Sequence, residues 1–206
     1  MFGISIRSVL IISSFLVSLS SYGVELRFGS FLSYPWLNQS TLINSNNFSS
    51  SGSLIGTGFE VGAESSRLLK FLTFGVSGGY TYRNITGTNQ AKLNGILYFE
   101  QLLFTAYGKA SFNSLYLALG ATLGVGMKYK GFTSTQLQDT GEILTIPQNN
   151  ILGSAMVGLG INFLEFGFVR FFSEARLSRG ITPFSWETDD SNKLNDFNII
   201  FGINFF

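Results

Sequence analysis

Hydrophobic residues alternate with small or polar residues along much of this chain, most clearly from Leu115 to Lys128. Every second position from Leu115 to Met127 is apolar, while the positions between them include three glycines. Because successive side chains of a strand point to opposite faces, this period of two predicts a strand with one aliphatic face. The glycine-bearing face has too little bulk for a solvated exterior and suits the inside of a narrow barrel. The aliphatic face is therefore predicted to lie in lipid.

The same alternation recurs along the chain and predicts an all-β fold, an eight-stranded antiparallel up-and-down transmembrane β-barrel. Strands of roughly 10 residues, tilted near 45°, are long enough to span the apolar band of a bilayer. An even number of strands lets the last strand pair with the first, which removes both sheet edges. The predicted strands cover approximately 24–36, 54–64, 71–83, 97–110, 115–128, 151–163, 168–179 and 196–206.

The connections between these strands alternate in length. This is expected when one membrane face carries tight turns and the other carries surface loops. The predicted long surface loops are 37–52, 131–149 and 180–193, and a loop of moderate length is predicted at 84–92. The predicted short turns are 65–70, 111–114 and 164–166.

The pattern over residues 24–206 resembles the small eight-stranded outer-membrane proteins of the A/X type, which belong to the porin-like superfamily. The closing segment, FNIIFGINFF, also resembles their assembly signal, with alternate apolar residues and a terminal aromatic. The resemblance implies that Phe205 and Phe206 carry this signal. It also implies that outer-membrane lipid and the assembly machinery are partners. The apolar parity runs through Phe205 and misses Phe206, so either the machinery reads Phe205 or the end is bulged.

Composition agrees with a membrane barrel. Hydrophobic residues make up 45% of the 206 residues and charged residues 12%, about half the charged share of soluble domains. No apolar run reaches the roughly 18 residues that a membrane helix needs. The net charge of +1 gives no reason to expect a nucleic-acid partner. The absence of cysteine excludes disulfides and thiolate metal sites.

Residues 1–23 have the pattern of a signal peptide, which leaves 24–206 as the barrel domain. Arg7 precedes an apolar stretch from Val9 to Leu19, and small residues flank Tyr22 where a signal peptidase would cut. The alternative is that this stretch is a buried first strand or helix. Export combined with membrane strands predicts the outer membrane of a diderm (Gram-negative-type) bacterium.

With lipid outside, strand parity places most charged side chains of the barrel in the lumen. Positive and negative residues nearly balance there, and charges removed from water must pair. Since the lumen of an eight-stranded barrel is filled by side chains, a structural salt-bridge plug is predicted. The alternative is a polar conduit or a catalytic cavity. The predicted lumen residues are Glu25, Arg27, Glu60, Glu64, Arg83, Lys109, Lys128, Arg170, Glu174, Arg176 and Asp196.

No catalytic, cofactor or metal site is predicted. A barrel enzyme acting on lipid A or surface peptides would commonly use a histidine base, and the chain has no histidine. Glu187, Asp189 and Asp190 could hold a divalent cation but are interpreted as solvated loop charges. Glu100 falls on the lipid face by parity, so it lies above the hydrocarbon or a bulge shifts the register.

The leading functional hypothesis is a non-enzymatic outer-membrane barrel with a structural role, or with a surface partner bound through loops 37–52, 131–149 and 180–193. The first alternative is a narrow channel for a small or apolar solute. The second, ranked below it, is a lipid-modifying barrel enzyme. A soluble ligand-binding barrel is the rival fold, and it would require the aliphatic faces to point inward.

Overall fold

The chain forms one continuous β-sheet. A computed structural model describes residues 23–37, 41–43, 46–65, 71–89, 94–133, 142–143, 150–183 and 193–206. The strands are β1 (Val24–Leu37), β2 (Thr41–Ile43), β3 (Asn46–Ser65), β4 (Leu72–Asn89), β5 (Asn94–Phe112), β6 (Leu115–Thr133), β7 (Glu142–Ile143), β8 (Ile151–Phe166), β9 (Val169–Gly180) and β10 (Leu194–Phe205).

Eight long strands of the described chain close into a barrel. Each long strand pairs antiparallel with the next along the chain, and β1 pairs with both β10 and β3. Leu26 shows the closure, because it lies opposite Phe205 on one side and Ala63 on the other. The short strands β2 and β7 pair only with β3 and β6. The predicted eight-stranded antiparallel barrel is therefore confirmed.

Burial alternates along the strands as the sequence pattern predicts. On β6, Tyr116 and Ala118 are buried, whereas Leu117 and Leu119 are exposed to 41% and 57%. The aliphatic face thus points out of the barrel, which excludes the soluble alternative with an apolar interior. An exterior of this kind matches the lipid-facing band of membrane barrels. The described residues contain no helix that is long and apolar enough to cross a membrane.

The short turns lie at one end of the barrel. The turn between β5 and β6 lies within the predicted 111–114, and Asn113 has a positive φ of 56° there. The predicted turn at 164–166 is wrong, because β8 continues to Phe166 and the turn is formed at Gly167, with φ of 60°. A register shift between Asn162 and Leu164 adds one residue to β8 and lengthens it. The predicted turn at 65–70 falls largely outside the described residues.

One wall of the barrel is much taller than the other. Strands β3 to β6 have 20, 18, 19 and 19 residues, whereas β9 and β10 have 12 each. The extra residues lie at the end opposite the short turns, where Phe48 pairs with Asn89 and Gly95 with Thr133. The sequence predictions that placed 46–52, 84–89 and 131–133 in loops are therefore wrong, because these residues belong to β3, β4 and β6. These segments pair as strands although their composition is mostly polar.

A bulge in β6 decides where Lys128 points. Glu100 lies opposite Lys128, but its neighbour Gln101 lies opposite Gly126, so β6 carries one extra residue, Met127. The extra residue reverses the parity and leaves Lys128 exposed on the outer face. The prediction that Lys128 lies in the lumen is therefore wrong. Glu100 keeps its outward parity, since the bulge is in the partner strand.

We predict that an arginine in the outward row of β6 destabilises the barrel according to its depth. Leu119→Arg should cost about 2–4 kcal/mol near the bilayer midplane, and Leu115→Arg, beside the turn, about 0–1 kcal/mol. The two leucines are matched in exposure, at 57% and 52%. The measurement is urea unfolding of the protein refolded into lipid vesicles. Equal costs at the two positions would contradict a lipid-facing exterior.

Candidate functional site

The lumen is organised around Arg27, whose side chain points inward from β1 and is 0% exposed. Its guanidinium donates hydrogen bonds to three carboxylates. Nε reaches Glu60 at 3.1 Å, Nη1 reaches Glu64 at 3.2 Å, and Nη2 reaches Glu174 at 2.7 Å. Glu60 and Glu64 come from the adjacent strand β3, whereas Glu174 comes from β9. One cation therefore links three strands across the barrel interior.

The flat faces of the same guanidinium lie against aromatic rings. The Phe172 ring centroid is 3.7 Å from the Arg27 Cζ, and the Tyr107 centroid is 5.9 Å from it. A guanidinium is suited to this position because its edge donates hydrogen bonds in a fixed plane while its faces stack on π systems. Lysine would have neither the fork nor the plane.

Two further cations balance the charge of this network. Lys109 pairs with Glu64, and Arg176 binds Glu60 with Nη1 at 2.9 Å and Glu174 with Nε at 2.8 Å. Each of the three carboxylates therefore accepts from two cations. Tyr107 and Tyr116 add hydroxyl donors, at 2.8 Å to Glu64 and 3.0 Å to Glu174. Such saturation is what buried charges require.

Aromatic rings that point inward fill the part of the lumen that the charged side chains leave open, and each ring packs against a glycine of another strand. A Cβ added to Gly160 would lie 2.2 Å from Cζ of Tyr116, which is too close for any side chain. The lumen glycines thus create the space that the rings occupy, as a narrow barrel requires. The ring and glycine pairs are Phe31 with Gly58, Tyr107 with Gly75, Tyr116 with Gly160, and Phe172 with Gly202.

An apolar layer separates the Arg27 network from a second ion pair nearer the long loops. Phe31, Phe172 and Ile200 form this layer. Beyond it, Arg83 pairs with Asp196 and also donates to Gln101 and to the Ser33 hydroxyl. Its charge is again balanced locally, by a single carboxylate.

A third cluster lies at the opposite mouth, near the short turns. Arg170 is 3.2 Å from Glu25 and 3.1 Å from Glu165, and its guanidinium carbon lies 4.4 Å from the centre of the Phe206 ring. The side chains of Arg170 and Glu25 are exposed to 15% and 18%, so water reaches this cluster. Arg170 and Glu174, which share one strand face, belong to two separate clusters.

Of the predicted lumen residues, all but Lys128 lie on the inward face of the barrel. Sequence reasoning did not identify the aromatic residues that complete the network, among them Phe172, Tyr107 and Tyr116. Their positions in the alternation could have identified them, because they fall on the inward face of their strands. A large ring on that face needs a glycine on a neighbouring strand to make room for it. The acidic residues Glu187, Asp189 and Asp190 lie outside the described residues, as does the predicted signal peptide at 1–23 apart from Gly23, so both assignments stay predictions.

The carboxylates of the Arg27 network are fully engaged by their partners. Every carboxylate of the Arg27 network is held by two cations, so none offers an unengaged oxygen for proton abstraction. No group of three or more metal-ligating side chains occurs among the described residues. What the network can do is hold the strands in register and fill the lumen.

Comparison with known proteins yields structural likenesses alone. No family model matches the chain, and no curated protein matches it. Neisserial surface protein A is similar at 15% identity and a TM-score of 0.45, covering 89% of this chain and 96% of its own. Ail, the attachment invasion locus protein of Yersinia pestis, solved with the heparin analogue sucrose octasulfate, is similar at 16% identity and a TM-score of 0.43, covering 88% and 99%.

The outer-membrane protease OmpT of Escherichia coli is similar at 8% identity and a TM-score of 0.34, covering 88% of this chain and 96% of its own. At these identities the likeness concerns the barrel architecture. No residue role passes from these proteins to this chain.

We predict that Arg27→Met destabilises the barrel by about 3–5 kcal/mol, because three buried carboxylates lose a shared partner. Arg170→Met, in the partly hydrated rim cluster, is the matched control and should cost about 1 kcal/mol or less. Unfolding in urea, followed by tryptophan fluorescence in detergent micelles, measures both. Similar losses from the two variants would show that Arg27 is not the centre of the lumen.

Proposed function

We propose that this protein is a non-enzymatic integral barrel of the outer membrane of a diderm bacterium. It has a structural role there, or it presents its extracellular loops to a surface partner. The observation that carries the proposal is the uneven height of the barrel wall, together with a lumen filled by ion pairs and aromatic rings.

The tall wall supports a role at the cell surface. A transmembrane strand needs roughly 9–11 residues, whereas β3 to β6 have 18 to 20. About half of each strand therefore extends beyond the hydrocarbon as a paired sheet. Rigid scaffolds that carry variable loops are common sites of recognition. The segments 38–45 and 134–149, which include β2 and β7, each have one end on this wall, at β3 and at β6.

The filled lumen favours a structural barrel over a transport protein. A solute crossing it would have to displace Arg27 from three carboxylates and from the Phe172 ring. The second candidate, a narrow channel for a small or apolar solute, is favoured by one observation: the half of the lumen near the long loops contains a cavity lined by both polar and apolar side chains, among them Gln101, Asn198 and Leu103. A channel would need the Arg27 network to open.

The chain end supports a role for Phe205 in assembly. Phe205 continues the strand register, pairing with Leu26 and Val169, and its ring stacks on Phe168. Phe206 leaves the strand, and its ring lies under Arg170 at the lumen mouth. We therefore propose that the assembly machinery reads Phe205, and that Phe206 seals the mouth. A bulge at the C-terminal end of β10 is therefore not needed to explain why Phe206 falls outside the apolar alternation.

We predict that the loops, and not the barrel wall, carry any surface interaction. A variant with 38–45, 134–149 and 181–192 replaced by short Gly-Ser linkers should keep a folded barrel, seen as altered gel migration without boiling. In a strain lacking the natural protein, this variant should restore resistance to detergent but not adherence to surfaces.

The matched control keeps each loop's length and composition but scrambles its order, and it should also fail to restore adherence. Protease added to intact cells should cut the natural loops and spare the turn at 111–114. A trimmed variant that restores adherence fully would contradict the surface-interaction role. Cleavage confined to the short turns would invert the topology.

A further inference from the structure

A small chamber lies in the half of the lumen nearer the long loops. Its volume is about 40 Å³, which is enough for roughly three water molecules. Phe31, Ile200 and Leu103 line it together with Arg176, and all four lie toward the Arg27 network. Leu152 and Leu194 line the end toward the loops. The chamber therefore lies between an apolar layer and the extracellular rim of the barrel.

Two buried amide side chains line this chamber, and each has one end without a partner among the described residues. Gln101 is 1% exposed and Asn198 is 6% exposed. The Nε2 of Gln101 and the Oδ1 of Asn198 have no hydrogen bond there. Buried polar groups are nearly always paired, so two such ends lining one cavity require an explanation.

The orientation of both amides follows from the ion pair that holds them. Arg83 has only donors, so it must face the oxygen of Gln101. The carboxylate of Asp196 has only acceptors, so it must face the amide nitrogen of Asn198, at 3.0 Å. The ends that remain are therefore a donor, Gln101 Nε2, and an acceptor, Asn198 Oδ1.

We propose that this chamber binds a small neutral group that both donates and accepts hydrogen bonds, namely ordered water or a primary amide. A charged ligand does not suit it, because Arg83 and Asp196 already balance each other. An apolar ligand would leave both amide ends unpaired, which is costly. The chamber thus adds a binding site to the lumen, independent of any role of the loops.

The test uses the full protein refolded in detergent micelles, with the side-chain amides of Gln and Asn labelled with ¹⁵N. The first measurement is the nuclear Overhauser effect between water and the Gln101 side-chain amide. The second is titration with acetamide, followed through the Gln101 and Asn198 signals. We expect a nuclear Overhauser effect between long-lived water and the Gln101 amide. We also expect saturable shifts of the Gln101 and Asn198 signals as acetamide displaces this water.

Two variants make the test specific. Gln101→Met keeps the length of the side chain and removes the donor, together with the oxygen that accepts from Arg83. The Kd for acetamide, followed in this variant through the Asn198 signal alone, should rise about tenfold. Asn204→Leu removes a buried amide whose Nδ2 and Oδ1 also lack partners among the described residues. Asn204 lies opposite Arg27 in the pairing of β1 with β10 and does not line the chamber. The Kd of the Asn204→Leu variant for acetamide should therefore stay unchanged.

Each outcome decides the proposal. Saturable acetamide shifts that weaken in Gln101→Met assign the chamber to the amide class. A water effect without acetamide shifts assigns it to water alone. The absence of both in the wild-type protein overturns the proposal, whether or not the variants fold. An unchanged Kd for acetamide in Gln101→Met, measured through the Asn198 signal, would overturn it as well.

Discussion

The structure depends on one constraint: Arg27 is held at 0% exposure by three carboxylates inside a barrel whose outer face is apolar. A charge that cannot face lipid must face the lumen, and a charge in a dry lumen must be paired. Glu60, Glu64 and Glu174 satisfy Arg27, and Lys109 and Arg176 then satisfy the carboxylates. Buried ion pairs are weak evidence for stability compared with well-packed apolar residues. Here they are better understood as fixing which strands meet in the interior.

The barrel itself could be predicted from the sequence because strand parity is a local property. The alternation from Leu115 to Met127 needs no knowledge of neighbouring strands to show which side chains share a face. The pairing inside the lumen is not local. Arg27 and Glu174 are separated by 147 positions, and their contact depends on the relative heights of β1 and β9. Sequence parity therefore identified the charged members of the network but neither their partners nor the aromatic residues that complete it.

The errors have equally physical causes. Counting parity along β6 assumes that every residue has a partner, and the extra residue Met127 breaks that assumption, which sends Lys128 to the outer face. The Asn- and Ser-rich stretch at 46–52 has the composition of a loop, yet it forms part of β3 because paired strands need no apolar face outside the membrane. Both errors arise at the end of the barrel where the lipid no longer imposes alternation.

The central claim is that the Arg27 network and the aromatic rings close the lumen of the native protein. Current through planar lipid bilayers containing the unmodified, folded barrel tests this most directly. We expect no steady conductance for the wild type, with brief openings at most when the network is loosened by substitution. A stable, solute-selective current from the unmodified protein would contradict it.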